Sequence, residues 1–286
     1  MDIDKQVTEA IWRGKIALTF VAFADDIKTM LGRQSQSPSS GVIDPLHLLA
    51  PRCAYLPLLT AELLKYFSEV ADLPLIADDA EVWYEYDGIP LKWHYPIGLL
   101  FDLYNQTKQL PWPITTHFSR FPNDKLMRLP SSPTVDTPHD FFMSLIKEAD
   151  FIRNGSIKKV MSLSKVDQFC LWEGLCFNDY EKFWSVNSRL VTNDGVIPKA
   201  LPLRVYMPDR PVIQELVVPL DQHQKSRTLE EVLHDILRNE LETLDFQRMD
   251  VLLHGIKIPP ETSISYLSIN LSYPDNFLHF VIFLHS

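Results

Sequence analysis

Cysteine is scarce in this chain: Cys53, Cys170 and Cys176 are the only three in 286 residues. Their spacing suits neither a disulfide framework nor a zinc-ligand set, which fits a reducing compartment. Long apolar runs are also lacking. No stretch approaches the roughly 20 residues that cross a bilayer. The opening Met1-Asp2-Ile3-Asp4 has neither the basic start nor the apolar core of a secretory signal. Positive charge is short as well: the formal net charge is −10, which opposes generic binding to phosphate backbones. The nine histidines form no HExxH or paired metal spacing, and no phosphate-cradling GxxxxGK or GxGxxG string occurs. The expectation is a soluble cytoplasmic protein with no cofactor, no metal and no nucleic-acid partner.

What the chain does have is ordinary globular composition, 46% hydrophobic and 22% charged, arranged as one pattern written twice. The first copy spans roughly 14–121. Residues 15–23 alternate, with Ile16, Leu18 and Phe20 on one face, as a half-buried strand does. A polar loop at Arg33–Ser40 and a second strand ending near Leu56 follow. Leu59, Leu63, Leu64, Phe67 and Val70, three and four apart, mark the inner stripe of a helix. Aromatic strands Glu81–Tyr86 and Leu91–Tyr95 flank an Asp87-Gly88 turn. A short helix from Pro96 and a strand from Trp112 close the copy.

The second copy, 200–286, repeats this order. Its strands are Leu201–Met207 and Val212–Leu220, followed by a helix at Thr228–Asn239 with Thr228 and Glu231 as a capping box. Strand Met249–His254, a helical turn at Ser263–Leu271 and strand Phe277–Leu284 complete it. The order ββαββαβ is that of a ubiquitin-like β-grasp. The final Phe283-Leu284-His285-Ser286 has no Gly-Gly pair to activate, so an acceptor or scaffold is expected rather than a modifier. The fold class is α+β, with two ubiquitin-like β-grasp domains flanking a helix-rich domain. The expected division is 1–121 (an N-terminal helix and the first domain), 122–199 (linker and helices) and 200–286.

The insert opens with a Pro/Ser-rich linker, Leu129–Pro138, and then turns helical. Thr137 is the expected cap, Pro138 the first helical residue and Gly155 the stop. Helices are expected near Lys158–Leu175 and Asp179–Val191, the latter led by Asn178. At about 100° per residue, Phe141, Phe142, Leu145, Ile146, Ala149 and Ile152 share one arc. Lys147 lies near the centre of the other, beside Ser144, Asp150 and Phe151. A lysine on a polar helical face is by itself no more than solvation.

Four motifs change that weighting: WYEYDGIPLKWHYPIGLLFDL (Trp83–Leu103), LPWPITTHF (Leu110–Phe118), FMSLIKEAD (Phe142–Asp150) and SYPDNFLH (Ser272–His279). Together they resemble the autophagy protein 5 family, from the IWRGKI start (Ile11–Ile16) to the end of the chain. The resemblance implies that Lys147 accepts the C-terminal glycine of the ubiquitin-like autophagy protein 12, delivered by that system's conjugating enzymes. It implies a noncovalent helix of autophagy protein 16 as a further partner. The assembly would be a ligase-like platform, peripheral on the preautophagosomal or isolation membrane, for joining autophagy protein 8 to phosphatidylethanolamine. An amine attacks a thioester carbonyl only when unprotonated, and lysine titrates far above neutral. With Glu148 and Asp150 beside Lys147, deprotonation is expected to fall to the conjugating enzyme.

Other candidates stand beside this one. Met143 and Phe151, taken as outward-facing, would let the attached modifier dock. Arg153, Lys158, Lys159 and Lys165 lie in a stretch without acids and read as a membrane-facing patch or as a solvated face. Trp83, Tyr84, Tyr86, Trp93, His94 and Tyr95 read as core, or as a groove for a partner helix. The cysteines fit strand and helix interiors, so no catalytic site is expected. A cysteine-dependent enzyme of the ubiquitin pathway, tested at Cys176, and an adaptor that is never conjugated are the alternatives.

Overall fold

The computed structural model describes residues 3–32, 43–70, 81–128, 136–192, 198–240 and 245–285, and the chain separates into two units, 15–138 and 1–14 with 139–286. The expected loop at Arg33–Ser40 and most of the expected linker from Leu129 lie outside the described residues. The first helix, Lys5–Trp12 (α1), is capped by Asp4, whose carboxylate accepts from the amides of Gln6 and Val7.

Unit 15–138 is a five-stranded sheet with helices. Its strands are Lys15–Ala22 (β1), Leu46–Pro51 (β2), Trp83–Tyr86 (β3), Ile89–Pro90 (β4) and Trp112–His117 (β5), in the order β2-β1-β5-β3-β4. Helix Ala24–Gly32 (α2), unforeseen from the sequence, follows β1; Thr60–Val70 (α3) follows β2 after a short 3-10 turn, and Ile97–Tyr104 (α4) precedes β5. Strand β1 buries Ile16, Leu18, Phe20 and Ala22, the alternation its sequence shows. It pairs antiparallel with β2 (Leu18 opposite Leu48) and parallel with β5 (Phe20 opposite Ile114). The β3–β4 turn uses positive φ at Asp87 (50°) and Gly88 (78°), the twist a two-residue hairpin loop requires.

The expected strand Leu91–Tyr95 does not form. Cross-strand bonding ends with the Leu91 amide donating to the Tyr84 carbonyl at 2.8 Å, and the chain then turns, the Tyr95 amide donating to the Lys92 carbonyl at 3.0 Å. Trp93 is buried there, its indole N–H donating to the Met127 carbonyl at 2.7 Å.

The second unit holds helices and a second sheet. The helices are Thr137–Asn154 (α5), Lys158–Met161 (α6), Lys165–Cys176 (α7) and Tyr180–Val191 (α8); although 137–138 fall to the first unit by chain division, α5 runs on into the second. The strands Leu203–Tyr206 (β6), Ile213–Gln214 (β7), Met249–Leu253 (β8), Ile256–Lys257 (β9) and Leu278–Leu284 (β10) take the order β7-β6-β10-β8-β9. This is the first sheet's order again, and its β8–β9 turn again has two positive φ values, at His254 (53°) and Gly255 (75°). Two ubiquitin-like domains flanking a helix-rich region is therefore the architecture. Helix Leu229–Leu237 (α9) starts with the expected capping box: Thr228 Oγ1 accepts from the Glu231 amide and the Glu231 carboxylate from the Thr228 amide. Helix Ile264–Asn270 (α10) precedes β10.

Four expectations are corrected here. Helix α1 groups with residues 139–286, not with 15–121: Trp12 is buried against Phe183 (4.7 Å between ring centroids) and Tyr180, and Thr8 bonds the Tyr180 hydroxyl at 2.7 Å. The helix expected over Lys158–Leu175 is broken, because Ser164 and Asp167 form a capping box that starts a new one. Asn178 does not cap α8; at φ 54° it turns the chain, and the Asp179 carboxylate accepts from the Lys182 amide instead. Strand Val212–Leu220 shortens to Ile213–Gln214 plus an isolated bridge from Val217 to Leu201, with Pro211 and Pro219 unable to donate.

The α7–α8 hairpin is set by one close approach. A Cβ on Gly174 would stand 2.7 Å from the Phe183 amide nitrogen and 2.9 Å from its Cα, which backbone cannot yield. Gly174→Ala is expected to destabilise the protein by about 1–3 kcal/mol, measured as a lowered urea midpoint.

Candidate functional site

Helix α5 carries most of the candidate residues, and its first task is to seat itself. Gly155, at φ 69°, ends it with its amide donating to the Phe151 carbonyl at 2.7 Å. Phe142, Leu145, Ile146 and Ala149 are buried, as the wheel requires, and Phe142 packs on Trp172 of α7.

Lys147 lies on the outward arc and is partly exposed. Among the described residues its ammonium has no hydrogen-bond or ion-pair partner. The two acids beside it in sequence are occupied elsewhere. Glu148 is held over the second sheet by the Arg204 guanidinium (3.2 Å to both oxygens) and by the Gln214 amide at 2.8 Å. Arg204 also lies 4.0 Å above the Phe277 ring. Asp150 is buried; its oxygens accept from the Asn154 amide at 2.7 Å and from the Val160 backbone at 3.1 Å.

The remaining carboxylates of the helical region are engaged too. Asp167 pairs with Arg189, Glu173 with Lys182, Glu181 with Lys5, and Asp140 faces the His139 ring at 3.3 Å. These pairings hold the Asp167 carboxyl below its usual range, through bonds from Ser164 and Arg189, and push the Lys182 ammonium up through its bond to Glu173.

Arg153 overturns its expected place on a membrane-facing patch. It is 3% exposed, and its guanidinium donates to Ser268 Oγ (2.8 Å), the Ser268 carbonyl (3.1 Å), the Asn276 carbonyl (3.2 Å) and Ser272 Oγ (3.4 Å). Burial pushes it down to about 10, partly offset by Asp150. The physical reason is that a desolvated cation needs oxygen acceptors, and Ser268, Ser272 and Asn276 supply them. Lys159 is also committed, donating to the Arg189 and Thr192 carbonyls. Lys158 and Lys165 are exposed, with Ile157, Met161 and Val166 exposed between and beside them.

Met143 is likewise corrected. It is 5% exposed and so does not face outward. Phe151, at 58% exposure, does face outward. Of the aromatic segment, Trp83, Tyr84, Trp93 and Tyr95 are buried, and Trp83 stacks on His117 at 3.7 Å. Burial pushes the Tyr84 hydroxyl up. Those four side chains are core, while Tyr86 and His94 are half-buried. Cys53 is buried while Cys170 and Cys176 are partly covered. Among the described residues, no His/Cys/Asp/Glu group is arranged to hold a metal and no helix is long and apolar enough to cross a membrane.

Three family models match the chain in series: "Autophagy protein ATG5, UblA domain" over residues 11–118, "alpha-helical bundle region" over 135–193 and "UblB domain" over 200–282. The chain is 34% identical to autophagy protein 5 of Drosophila melanogaster, with 96% of each covered. It is 32% identical to that of Dictyostelium discoideum, covering 82% of this chain and 68% of the relative. The crystal structure of Kluyveromyces marxianus Atg5 superposes with a TM-score of 0.78 at 25% identity, covering 97% and 99%.

Arg153→Met would strand the Ser268 and Asn276 carbonyls. The expected loss is about 2–4 kcal/mol, whereas Lys158→Met is expected to stay within about 0.5 kcal/mol of the parent. Paired urea titrations measure both.

Proposed function

The chain belongs to the autophagy protein 5 family, and on that premise we propose that it is conjugated through Lys147 to the ubiquitin-like autophagy protein 12. Its role in autophagy follows from the family; the matched regions are ubiquitin-like and helical, with no catalytic domain among them. The observation that supports the acceptor role is Lys147 itself: partly exposed on α5, within the FMSLIKEAD motif, with an amine that no neighbouring group engages among the described residues.

In the proposed reaction the Lys147 amine, having lost a proton, attacks the thioester carbonyl of the modifier's terminal glycine. A C–N bond forms, the C–S bond breaks, the nitrogen gives up its second proton to solvent or to a base of the conjugating enzyme, and the thiolate leaves with that enzyme. Helix α5 contributes the nucleophile and no catalytic group. Binding a helix of autophagy protein 16, and promoting transfer of autophagy protein 8 to phosphatidylethanolamine, complete the proposed role. Lys147→Arg keeps the charge and removes the nucleophile. In a reconstituted reaction it is expected to give no isopeptide conjugate at an unchanged melting temperature; a branch mapped to another lysine of the parent would overturn the assignment.

A peripheral membrane position is proposed as well, supported by the exposed Lys158 and Lys165 and the exposed Ile157, Met161 and Val166 around them. Each such lysine contributes about 1 kcal/mol near an anionic surface, and apolar neighbours add contact with the acyl boundary. The doubly charge-reversed variant Lys158→Glu/Lys165→Glu is expected to stop floating with anionic liposomes at low salt. Equal flotation of variant and parent would count against this surface.

A further inference from the structure

Side chains three and four apart on a helix meet, so Lys147 has four such neighbours on α5: Met143, Ser144, Asp150 and Phe151. Only Asp150 could neutralise it. That carboxylate is turned inward and fully used, one oxygen by Asn154 and the other by the Val160 amide, which the turn at Gly155 brings back onto α5. Glu148, adjacent in sequence, is drawn to the opposite flank by Arg204 and Gln214, themselves paired across β6 and β7. On the neighbouring helices Asp167 and Glu173 are spent on Arg189 and Lys182. The nearby cations Arg153 and Lys159 point to carbonyls.

We infer that Asn154, Arg204 and Gln214 are positioning residues for reaction at Lys147, acting by holding Asp150 and Glu148 away from its amine. The inference deepens the acceptor assignment and rests on it for its biological meaning. The physical logic is independent of the partner. An ion-paired ammonium is held in one geometry and resists losing its proton, whereas an unpaired one swings freely and yields its proton to whatever base the incoming enzyme supplies.

The test is acylation of the intact protein by a limiting amount of N-hydroxysuccinimidyl acetate near neutral pH. The Lys147 peptide is quantified by mass spectrometry against the Lys158 and Lys165 peptides of the same sample. Ser144 is exposed, so Ser144→Glu installs an acid one turn before Lys147 without disturbing the core, and Ser144→Gln is its neutral control. Ser144→Glu is expected to slow Lys147 acylation roughly twofold relative to Ser144→Gln at low salt. The difference should vanish at about 1 M salt, where screening acts within about 3 Å.

Asn154→Leu, which releases one oxygen of Asp150, is expected to slow Lys147 similarly, and adding Asp150→Asn is expected to restore the rate. The inference is overturned if Ser144→Glu and Ser144→Gln react alike at low salt. It is also overturned if a folded Asn154→Leu leaves Lys147 unchanged; should that variant not fold, the Ser144 pair decides. Because the probe needs no conjugating enzyme, these outcomes are read separately from where a branch maps in reconstituted conjugation.

Discussion

A buried guanidinium organises the larger unit. Arg153 is out of water, and removing a cation from water costs several kcal/mol unless acceptors replace the solvent. Two carbonyls and two hydroxyls, from Ser268 of α10 and from Ser272 and Asn276 between α10 and β10, do so. The same residue's own carbonyl accepts from the Lys199 amide at 2.7 Å, where the chain enters the second ubiquitin-like domain. Side chain and backbone of one residue thus fasten the end of α5 to that domain at two points. The helix that carries Lys147 is held to that domain by this seat and by the Glu148–Arg204 contact.

The second sheet shows how a repeated fold acquires a specific use. Both sheets have one strand order and the same pair of positive-φ turn residues, so local backbone chemistry is shared. What differs is the treatment of one sheet face. Along β6, Leu203 and Val205 point to one side and are buried. Arg204 points to the other, where it meets Glu148 and the Phe277 ring. The Asp275–His279–Tyr206 chain of hydrogen bonds, 2.9 Å at each link, is buried beside it. Burial would raise the Asp275 carboxyl, but His279 and the Phe277 amide outweigh it and hold it below its usual range. A polar network of this kind is stable only when each member is satisfied, which makes Ser272–His279 a rigid support and accounts for that motif's presence in structural terms.

Much of the fold was legible because it is written locally. The alternation in β1, the capping box at Thr228 and Glu231, and the glycine that ends α5 each depend on neighbours a few residues away. The failures have equally local causes that competed with the pattern read. The Lys92–Tyr95 turn took the chain off the sheet edge where alternation suggested a continuing strand, and Ser164 with Asp167 restarted a helix that periodicity alone would have run on. Helix α1 was assigned by proximity in sequence, whereas the aromatic faces of Tyr180 and Phe183 claimed Trp12.

For the site, the sequence by itself determined that Lys147 lies on the polar side of an amphipathic helix and that the family motif surrounds it. It could not say which of the nearby charges would reach water. Arg153 and Asp150 read as surface residues, because a helical wheel reports direction from the helix axis and not what stands in that direction. Their partners, Ser268 and Asn276 for one, the returning Val160 amide for the other, are separated from them by a turn or by a whole domain. Only the tertiary structure decided that these charges are buried and hydrogen-bonded, and that the Lys147 ammonium has no partner among the described residues.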